Sequence, residues 1–310
     1  MSIFNYILKG YKYVTNKYYR FIINANLGLY NNMPDDVFLK RYYKSVFGRE
    51  LDLENPSGFN EKMQWLKLNN RKDLYTTLVD KYEVRDYVAS VIGDEYLIPL
   101  LGVWENADDI NFDELPDQFV LKCNHNSGTG MCICKDKSNL DIAEVRKGLQ
   151  SGLHEDYYIK TREWPYKNVK RKVICEKYMT DDKNSESFTD YKFFCFDGYV
   201  DCVMICKDRN IGKTKFYFMD RQWNLCRYNV LGKSLPENFT IEKPINMDKM
   251  FEIAGILSRG LPFARIDLYN SNGKIYFGEI TFFPDSGFDH NLLPETNERF
   301  GNLINIKKQG

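Results

Sequence analysis

The sequence predicts an α+β fold, and three patterns in it support that class. Apolar residues recur at helical spacing through much of residues 1–75, whereas short alternating apolar runs dominate from Tyr191 onward. The dipeptides Asp197-Gly198 and Asn272-Gly273 separate such runs, and dipeptides of this type favour tight antiparallel hairpins. Helices combined with hairpins indicate α+β lobes rather than one parallel, doubly wound sheet.

Helices are predicted for most of the chain before residue 95. Apolar periodicity predicts one helix in PDDVFLKRYYKSVFGREL, residues 34–51, and a second in PSGFNEKMQWLKLNN, residues 56–70. The stretch LYTTLVDKYEVRDYVASVIG, residues 74–93, predicts a single further helix that ends at Gly93. EYLIPLLGVW, residues 95–104, then predicts a strand.

The remainder of the chain is predicted to consist mainly of strands with intervening helices. Residues 119–135 have the pattern of a strand, a glycine-containing loop and a second strand, which predicts a hairpin. The other expected elements are, in order, a helix over residues 139–153, a strand over 172–179, strands within 191–208 and 214–228, a helix over 246–260 and a final hairpin over 263–287.

Composition excludes some classes of function and leaves others open. Lys plus Arg equals Asp plus Glu at 43 each, so no global field favours nucleic acid as a partner. The 22 Tyr and 21 Phe residues suit a surface that binds rings or sugars, and they equally suit core packing. The eight Cys residues lie mostly in apolar strands, as is typical of buried thiols in a reducing cytoplasm. Zinc binding is the competing interpretation, although CxxC spacing is absent.

The amino-terminal segment leaves two interpretations open. No apolar run reaches the roughly 18 residues that span a bilayer, and residues 1–30 lack a signal-peptide pattern. Four cations, interleaved with aromatic residues, precede the first acid at Asp35: Lys9, Lys12, Lys17 and Arg20. Such a segment suits either contact with an anionic membrane surface or a helix packed on the chain's own core. We therefore expect a cytoplasmic protein, at the inner face of the membrane if the first interpretation holds.

Two carboxylates in the final hairpin form the first candidate site. Asp267 and Glu279 lie among apolar residues on the two predicted strands, about six residues on either side of the turn, so we expect them to face each other. Buried, facing carboxylates repel unless cations lie between them, and Mg²⁺ is usually held by one or two carboxylates plus phosphate oxygens. Arg265, two residues before Asp267, is expected on the same face, where a cation would suit a transferring phosphoryl group.

Three further stretches offer groups that suit a nucleotide. Lys122 precedes a loop in which the amides of Ser127 and Gly128 are expected to approach phosphate oxygens, although such a loop is also typical of an ordinary edge hairpin. The strand end at residues 176–178 presents a carboxylate and backbone groups that suit adenine or ribose, or it is simply exposed to solvent. Lys192 is a lone cation on an alternating strand and suits either a site or the surface.

In this order the stretches resemble the ATP-grasp superfamily, most closely the TupA-like branch associated with teichuronopeptide and capsule assembly. The resemblance covers approximately residues 40–305 and rests on these stretches: DKYEVRDYV, LIPLLGVW, FVLKCNHNSGTG, ICEKYM, DYKFFCFDG and ARIDLY with GEITFFPDSGF. It implies a nucleotide between two α+β lobes, after a mainly helical amino-terminal region. It also implies four segments: a helical region 1–75, a pre-ATP-grasp segment 76–118, a lid lobe 119–182 and a metal-binding lobe 183–310.

The resemblance implies ATP and Mg²⁺ as cofactors and assigns a role to each candidate residue. Lys81 and Lys122 would bind the phosphates, while Glu176, Lys177 and Tyr178 would contact adenine. The catalytic residues would be Arg265 and Lys192, and the metal ligands Asp267 and Glu279. Thr281 is expected as a third metal ligand; it stands where many ATP-grasp ligases carry an Asn, and its hydroxyl is a weaker ligand than a side-chain carbonyl.

By resemblance, the expected reaction is carboxylate–amine ligation through an acylphosphate. The expected partners are a uronic-acid-type carboxylate on a glycan or nucleotide sugar, and an amino acid or amino sugar. The loop after the hairpin supplies candidate acceptor contacts, or is an ordinary exit loop: Asp285, Ser286, Gly287, Asp289 and His290. Two alternatives stay open, namely a kinase that phosphorylates a sugar hydroxyl and a non-catalytic glycan-binding subunit of an assembly complex.

Overall fold

The computed structural model describes residues 3–179, 189–207, 214–271 and 273–306. The chain divides into two compact units: unit 1 comprises residues 1–71, 158–164 and 284–310, and unit 2 comprises residues 72–157 and 165–283. This division does not test the four segments predicted from the sequence. The predicted boundary between residues 182 and 183 lies outside the described residues.

Helices precede every strand and recur between the strands, which confirms the α+β class and the helical first region. Their bounds within the described residues are α1 (Ile3–Thr15), α2 (Lys17–Asn26), α3 (Asp35–Phe47), α4 (Phe59–Asn69), α5 (Asp73–Val79), α6 (Val84–Ile92), α7 (Ile142–His154), α8 (Tyr157–Thr161), α9 (Val230–Ser234), α10 (Met247–Leu257) and α11 (Pro294–Leu303). As far as the described residues go, none of these helices is both long enough and apolar enough to cross a membrane.

Two antiparallel sheets form the framework of unit 2. Their strands are β1 (Leu100–Trp104), β2 (Phe119–Cys123), β3 (Met131–Cys134), β4 (Val173–Lys177), β5 (Asp190–Phe196), β6 (Tyr199–Lys207), β7 (Lys215–Met219), β8 (Leu225–Cys226), β9 (Ala264–Ser271) and β10 (Lys274–Thr281). The first sheet has the order β1-β4-β2-β3 and the second has the order β10-β9-β5-β6-β7-β8. The hairpins predicted at residues 119–135, at Asp197-Gly198 and at residues 263–287 are confirmed.

Apolar faces bury each sheet against a helix. In the first sheet, Leu121 and Val173 pack in one cluster with Leu149 and Leu153 of α7. In the second sheet, every residue of β5 is buried, and the ring of Phe193 meets that of Phe251 on α10 edge to face at 5.1 Å. Each of these helices therefore covers one face of its sheet.

One helix prediction was wrong. Residues 74–93 form two helices, because the chain leaves the helix at Asp80 with an extended backbone and resumes at Val84. The Asp80 carboxylate accepts hydrogen bonds from the amides of Tyr82 at 2.8 Å and Glu83 at 3.3 Å, and from the side-chain amide of Asn124 at 2.8 Å. A side chain that bonds to nearby amides competes with the helix. The break places Lys81 in a turn beside the loop that follows β2.

Unit 1 has a helical, largely aromatic core. Phe21 of α2, Phe38 and Tyr43 of α3, and Phe288 pack in one buried cluster. Just before helix α4, the amides of Ser57 and Gly58 donate to the carboxylate of Glu61 at 3.0 Å and 3.2 Å. Glu61 lies in the first turn and reaches back to these amides, which fixes the start of the helix.

Candidate functional site

A cavity of about 480 Å³ in unit 2 is lined from both sheets. The sheets leave apolar side chains along part of its wall, including Ile98, Val120, Met131 and Ile133. Most site residues expected from the sequence line the same cavity: Lys81, Lys122, Ser127, Gly128, Glu176, Lys177, Tyr178, Lys192, Asp267 and Glu279. Arg265 and Thr281 are not part of that lining, but they contact its carboxylates. The fold thus brings together groups that are up to about 200 residues apart (Lys81 to Glu279) in the sequence.

Asp267 and Glu279 lie opposite each other because the hairpin contains a β-bulge. The regular register runs from Ser271 opposite Lys274 to Leu268 opposite Phe277, and it would place Gly278 opposite Asp267 if it continued. Instead the register shifts at Gly278, and Glu279 pairs with Asp267. Counting residues from the turn predicts the correct pair, but the count does not include the bulge that brings these two residues opposite each other. Without the extra residue, Glu279 would pair with Ile266 and lie on the opposite, core face of the sheet.

Cations surround the buried Asp267 carboxylate. The guanidinium of Arg265 donates to both carboxylate oxygens, each at 2.7 Å, and the ammonium of Lys192 donates to one of them. The same guanidinium donates to Glu279 Oε1 at 3.3 Å and to Thr281 Oγ1 at 3.1 Å, and Thr281 in turn donates to Glu279 Oε1 at 3.2 Å. Arg265 therefore bridges the two carboxylates from the face that the two-residue spacing predicts.

The charges around Glu279 favour its ionised form. Burial by itself raises the pKa of Glu279, but Lys81, Lys192, Arg265 and Lys122 outweigh burial and lower this pKa to about 2. Burial lowers the pKa of Lys81, an effect that Glu279 opposes from 4.0 Å. Glu279 is thus an ionised carboxylate in a positive environment, which is the state required of a metal ligand.

Glu176 on β4 pairs with two cations, Lys122 of β2 and Arg85 of α6. Lys122 Nζ lies 2.6 Å from Glu176 Oε2, and Arg85 Nη1 lies 3.5 Å from Glu176 Oε1. Arg85 also donates to the carbonyl of Ile98 at 2.9 Å. Glu176 on β4 therefore pairs with both cations, of which Lys122 lines the cavity.

Two polar residues of this cavity were not predicted from the sequence, although their spacing from predicted site residues could have identified them. Asp190 lines the cavity and its carboxylate lies 3.6 Å from Lys192 Nζ. Tyr269 also lines it. Each is two residues from a predicted site residue on the same strand, Lys192 and Asp267 respectively, and residues two apart on a strand share a face.

The loop between β2 and β3 is shaped by glycine and by buried asparagine. Gly128 and Gly130 have φ values of 89° and 69°, in the left-handed region that favours glycine. The side chain of Asn126 donates to the carbonyl of Gly152 at 3.2 Å, and Lys81 Nζ donates to the carbonyl of Asn126 at 2.7 Å. These bonds hold the loop beside the cationic turn at Lys81.

All five candidate acceptor contacts lie in unit 1 rather than unit 2. Asp285, Ser286 and Gly287 have φ values of 48°, 53° and 68°, so three successive residues have a left-handed backbone. Ser286 Oγ donates to Glu163 Oε1 at 2.8 Å, and its carbonyl accepts from Lys67 Nζ at 2.7 Å. Such strained backbone persists only where the surrounding structure holds it, as these buried partners do here.

Asp285 and His290 line a cavity of about 380 Å³ in unit 1. Its wall is largely aromatic and includes Tyr18, Tyr42 and Phe288, with the amide side chain of Asn291. The rings of Tyr42 and Phe288 lie 4.0 Å apart. Ser286 and Gly287 shape the turn that carries Asp285 and are not part of this lining.

The donor set of unit 2 fits a magnesium ion that is completed by phosphate oxygens. Within the described ranges, no group of three or more His, Cys, Asp or Glu side chains is placed to hold a metal. Asp267 and Glu279 supply two carboxylates, and Mg²⁺ is usually bound by one or two carboxylates plus substrate phosphates. The hydroxyl of Thr281 supplies a further oxygen next to these carboxylates, at the position where many ATP-grasp ligases carry an Asn side chain.

A family model described as TupA-like ATPgrasp matches residues 61–305. No curated protein matches the chain. Among the structural matches, a D-alanine–D-alanine ligase from Bacillus anthracis is 18% identical with a TM-score of 0.44, covering 80% of this chain and 69% of its own.

Two further structures match at lower identity. D-cycloserine synthetase DcsG is 14% identical with a TM-score of 0.44, covering 78% of this chain and 73% of its own. The ligase PsnB, in a complex with a precursor variant, Mg and ADP, is 11% identical with a TM-score of 0.42, covering 91% of this chain and 73% of its own.

Proposed function

Because the chain belongs to the TupA-like ATP-grasp family and is an ATP-dependent ligase of that class, we propose that its unit 2 cavity binds MgATP to join a carboxylate to an amine. One observation carries the assignment of the site. Two facing carboxylates, Asp267 and Glu279, share a cavity with the ammonium groups of Lys81, Lys122 and Lys192. This combination of acidic and basic groups suits a triphosphate and its metal ion.

The lysines and the loop after β2 bind the phosphates in this proposal. The side chains of Lys81 and Lys122 are 14% and 21% exposed, so each retains access to the cavity while most of its charge is shielded from water. Ser127 and Gly128 line the cavity at the loop, where backbone amides add hydrogen bonds to phosphate oxygens. Cations in a partly desolvated site interact more strongly with phosphate than cations in water do.

In this proposal the adenine ring of ATP binds at the carboxyl-terminal end of β4. Glu176, Lys177 and Tyr178 line the cavity there, beside the apolar wall formed by Val120 and Ile133. An apolar slot with a few polar groups at its rim is the usual form of a site for a flat ring. Lys122, which is paired with Glu176, connects this end with the phosphate end.

The metal ion would be held by Asp267 and Glu279, with Thr281 beside them. When bound, Mg²⁺ neutralises phosphate charge and orients the transferring phosphoryl group. Arg265 holds both carboxylates in position and keeps a fixed positive charge next to them. Lys192 supplies a second cation at the same carboxylate.

The reaction consists of two substitutions. A carboxylate oxygen of the substrate attacks the γ-phosphorus, and the bond to the bridging oxygen of ADP breaks, which gives an acylphosphate. The amine nitrogen then attacks the acyl carbon, and phosphate leaves as the amide forms and the nitrogen loses a proton. Arg265 and Lys192 stabilise the negative charge that moves between the oxygens during the first step.

We further propose that the two substrates belong to glycan synthesis. The carboxylate is of the uronic-acid type, on a glycan or nucleotide sugar of capsule or surface-polysaccharide synthesis, and the amine is an amino acid or amino sugar. Support for this comes from the TupA-like family. In unit 1, Asp285 and His290 are proposed to contact the acceptor, with Ser286 and Gly287 shaping their turn.

Trapping with hydroxylamine tests the class of reaction. The protein is incubated with MgATP, hydroxylamine and a panel of uronic acids and glycans, and both hydroxamate and ADP are measured. We expect hydroxamate in step with ADP, because hydroxylamine intercepts only an activated carboxyl group. A phosphorylated sugar without hydroxamate would contradict the ligase and indicate a kinase. If no carboxylate supports ATP turnover and the protein also fails to bind MgATP, the assignment of the nucleotide site is contradicted.

The carboxylates provide the matching test of the site. Asp267→Asn and Glu279→Gln are expected to lower Mg²⁺-dependent ADP release by on the order of a hundredfold or more, because each removes a metal ligand. Glu144→Gln and Asp248→Asn, which neutralise exposed acids on α7 and α10, are the controls and should retain activity. A thermal unfolding curve for each variant separates loss of the site from loss of the fold. Full activity in folded Glu279→Gln would overturn the metal assignment.

A further inference from the structure

From residue 8 onward, helix α1 presents apolar side chains to solvent instead of packing them on the core. Leu8, Tyr11 and Val14 are spaced three residues apart and are 41%, 66% and 72% exposed. Residues three apart lie on one side of a helix, so these side chains form a continuous apolar strip. The structure thus argues against the interpretation in which this helix packs on the chain's own core.

Lysines lie opposite the apolar strip and along its border. At helical spacing, Lys9 lies on the side away from the strip of Leu8, Tyr11 and Val14, whereas Lys12 is four residues after Leu8 and flanks the strip; both lysines are exposed. Residues 1–34 contain four cations and no acid. A helix with an apolar strip and a lysine-bearing side is typical of a helix that lies in the plane of a membrane interface.

Helix α1 is attached to a rigid support. Tyr13 donates to Asn24 Oδ1 on α2 at 2.8 Å, and Arg20 of α2 donates to the carbonyls of Tyr13 and Val14 at 3.1 and 2.8 Å. Helix α2 is itself anchored by Phe21, which is 5% exposed in the aromatic core of unit 1. The apolar strip is therefore displayed on a helix that is held in place while its outer side is uncovered.

We propose that α1 docks unit 1 on an anionic lipid bilayer, with the strip of Leu8, Tyr11 and Val14 inserted at the headgroup level and the exposed Lys9 and Lys12 attracted to lipid phosphates. Charge complementarity selects this occupant. Residues 1–34 carry four positive side chains and no negative one. This segment therefore attracts an anionic surface and would repel a second copy of itself. This inference is independent of the ligase assignment.

Vesicle binding by the full chain tests the proposal. We expect the protein to sediment with vesicles of phosphatidylcholine mixed with phosphatidylglycerol, and to remain in solution with vesicles of phosphatidylcholine alone. Binding should weaken as NaCl is raised from about 0.1 to about 1 M, because salt screens attraction between charges. Equal binding to both kinds of vesicle, or no binding to either, would overturn the proposal.

Two pairs of variants locate the surface. Lys9→Gln with Lys12→Gln should lower the partition coefficient about 25-fold, at roughly fivefold for each charge near the membrane. Lys147→Gln with Lys249→Gln removes the same net charge from exposed positions on α7 and α10 and should leave binding almost unchanged. If both double variants weaken binding equally, net charge rather than α1 is responsible, and the proposal fails.

The apolar strip has its own variant and control. Tyr11→Ser with Val14→Ser should abolish sedimentation while keeping every charge. Val230→Ser with Ile245→Ser, at positions 68% and 69% exposed in unit 2, should not affect it. If Tyr11→Ser with Val14→Ser instead converts a dimer to a monomer and vesicle binding is absent, the strip is a contact between copies and the proposal is overturned.

Discussion

At the scale of single residues, Gly278 decides on which face of its sheet Glu279 lies. It is the extra residue of the β-bulge, and a Cβ at this position would lie 2.9 Å from the carbonyl oxygen of Asp267 and 3.0 Å from the ring of Tyr269. Real Cβ atoms essentially never approach backbone so closely, so only glycine fits without movement. The two carboxylates therefore meet only because this position has no side chain.

Gly278→Ala is expected to disturb the metal site more than the fold. The new methyl group forces the bulge to shift, which moves Glu279 relative to Asp267. We expect the Mg²⁺ concentration for half-maximal ADP release to rise on the order of tenfold, as is usual when a support of a metal ligand is altered. An unchanged Mg²⁺ titration in a folded Gly278→Ala protein would contradict the role of the bulge. Gly148→Ala, whose Cβ meets nothing within 4 Å, is the control.

At the scale of elements, α7 packs on the loop after β2 through two glycines. A Cβ at Gly152 would lie 2.8 Å from the Cα of Gly130, and a Cβ at Gly130 would lie 2.9 Å from the Cα of Gly152. Cys123 Sγ fills the adjacent space, 2.7 Å from a Cβ at Gly152. This backbone-to-backbone approach connects a helix on the outside of the first sheet with a loop that lines the proposed phosphate site.

Two glycines of α7 should therefore respond to alanine in opposite directions. Gly148→Ala is expected to raise the free energy of unfolding by about 0.5–1 kcal/mol, because alanine restricts the unfolded chain and nothing obstructs its methyl group. Gly152→Ala is expected to lower it by about 1–3 kcal/mol and to raise the KM for ATP, because the methyl group pushes α7 away from the loop. Urea unfolding and ATP titration of both variants provide the check. A stabilised Gly152→Ala with normal KM would show that the loop tolerates the displacement.

At the scale of the whole molecule, unit 1 is assembled from three separated segments of the chain. The buried ammonium of Lys67 on α4 donates to the carbonyl of Thr161 at 2.9 Å and to that of Ser286 at 2.7 Å, so a single side chain joins all three segments. Burial lowers the pKa of Lys67 to about 8, against the opposing effect of Glu163 and Asp35. A charge is therefore held in the interior at neutral pH at some cost in stability.

The stability of the protein should accordingly depend on pH through Lys67. Between pH 8 and 10.5 the unfolded chain binds more protons at Lys67 than the folded chain does, so the Lys67 contribution to the free energy of unfolding rises with pH. The total rise across this window is about 3 kcal/mol. Lys67→Met lacks this pH-dependent contribution. The difference between the free energy of unfolding of the wild type and that of the variant should therefore be larger at pH 10.5 than at pH 8.

Urea unfolding of both proteins at several pH values measures that difference. Lys40→Met, which removes a half-exposed lysine from α3, serves as the control for the loss of a surface charge. If the advantage of the wild type over Lys67→Met is constant or falls as pH rises, the buried ammonium does not have the lowered pKa assigned to it. Lys67→Met is also expected to be less stable than the wild type, because the carbonyls of Thr161 and Ser286 lose their donor.

The sequence by itself determined the features that depend on local periodicity. Alternation of apolar residues predicted the antiparallel hairpins, and a spacing of two placed Arg265 on the face of Asp267. The same rule extends to Asp190 and Tyr269, which the sequence contained but the prediction omitted. Side-chain direction in a strand follows from the backbone itself, so no distant partner is needed to fix it.

Only the tertiary structure decided the features that depend on distant partners. The Asp80 carboxylate at the helix break also accepts from the distant side chain of Asn124, and the facing of the two carboxylates requires a bulge that the count of residues does not reveal. The exposure of α1 and the placement of Asp285 in unit 1 likewise depend on which elements pack together. Register shifts and long-range hydrogen bonds are selected by the whole fold, because their free energies exist only once both partners are in place.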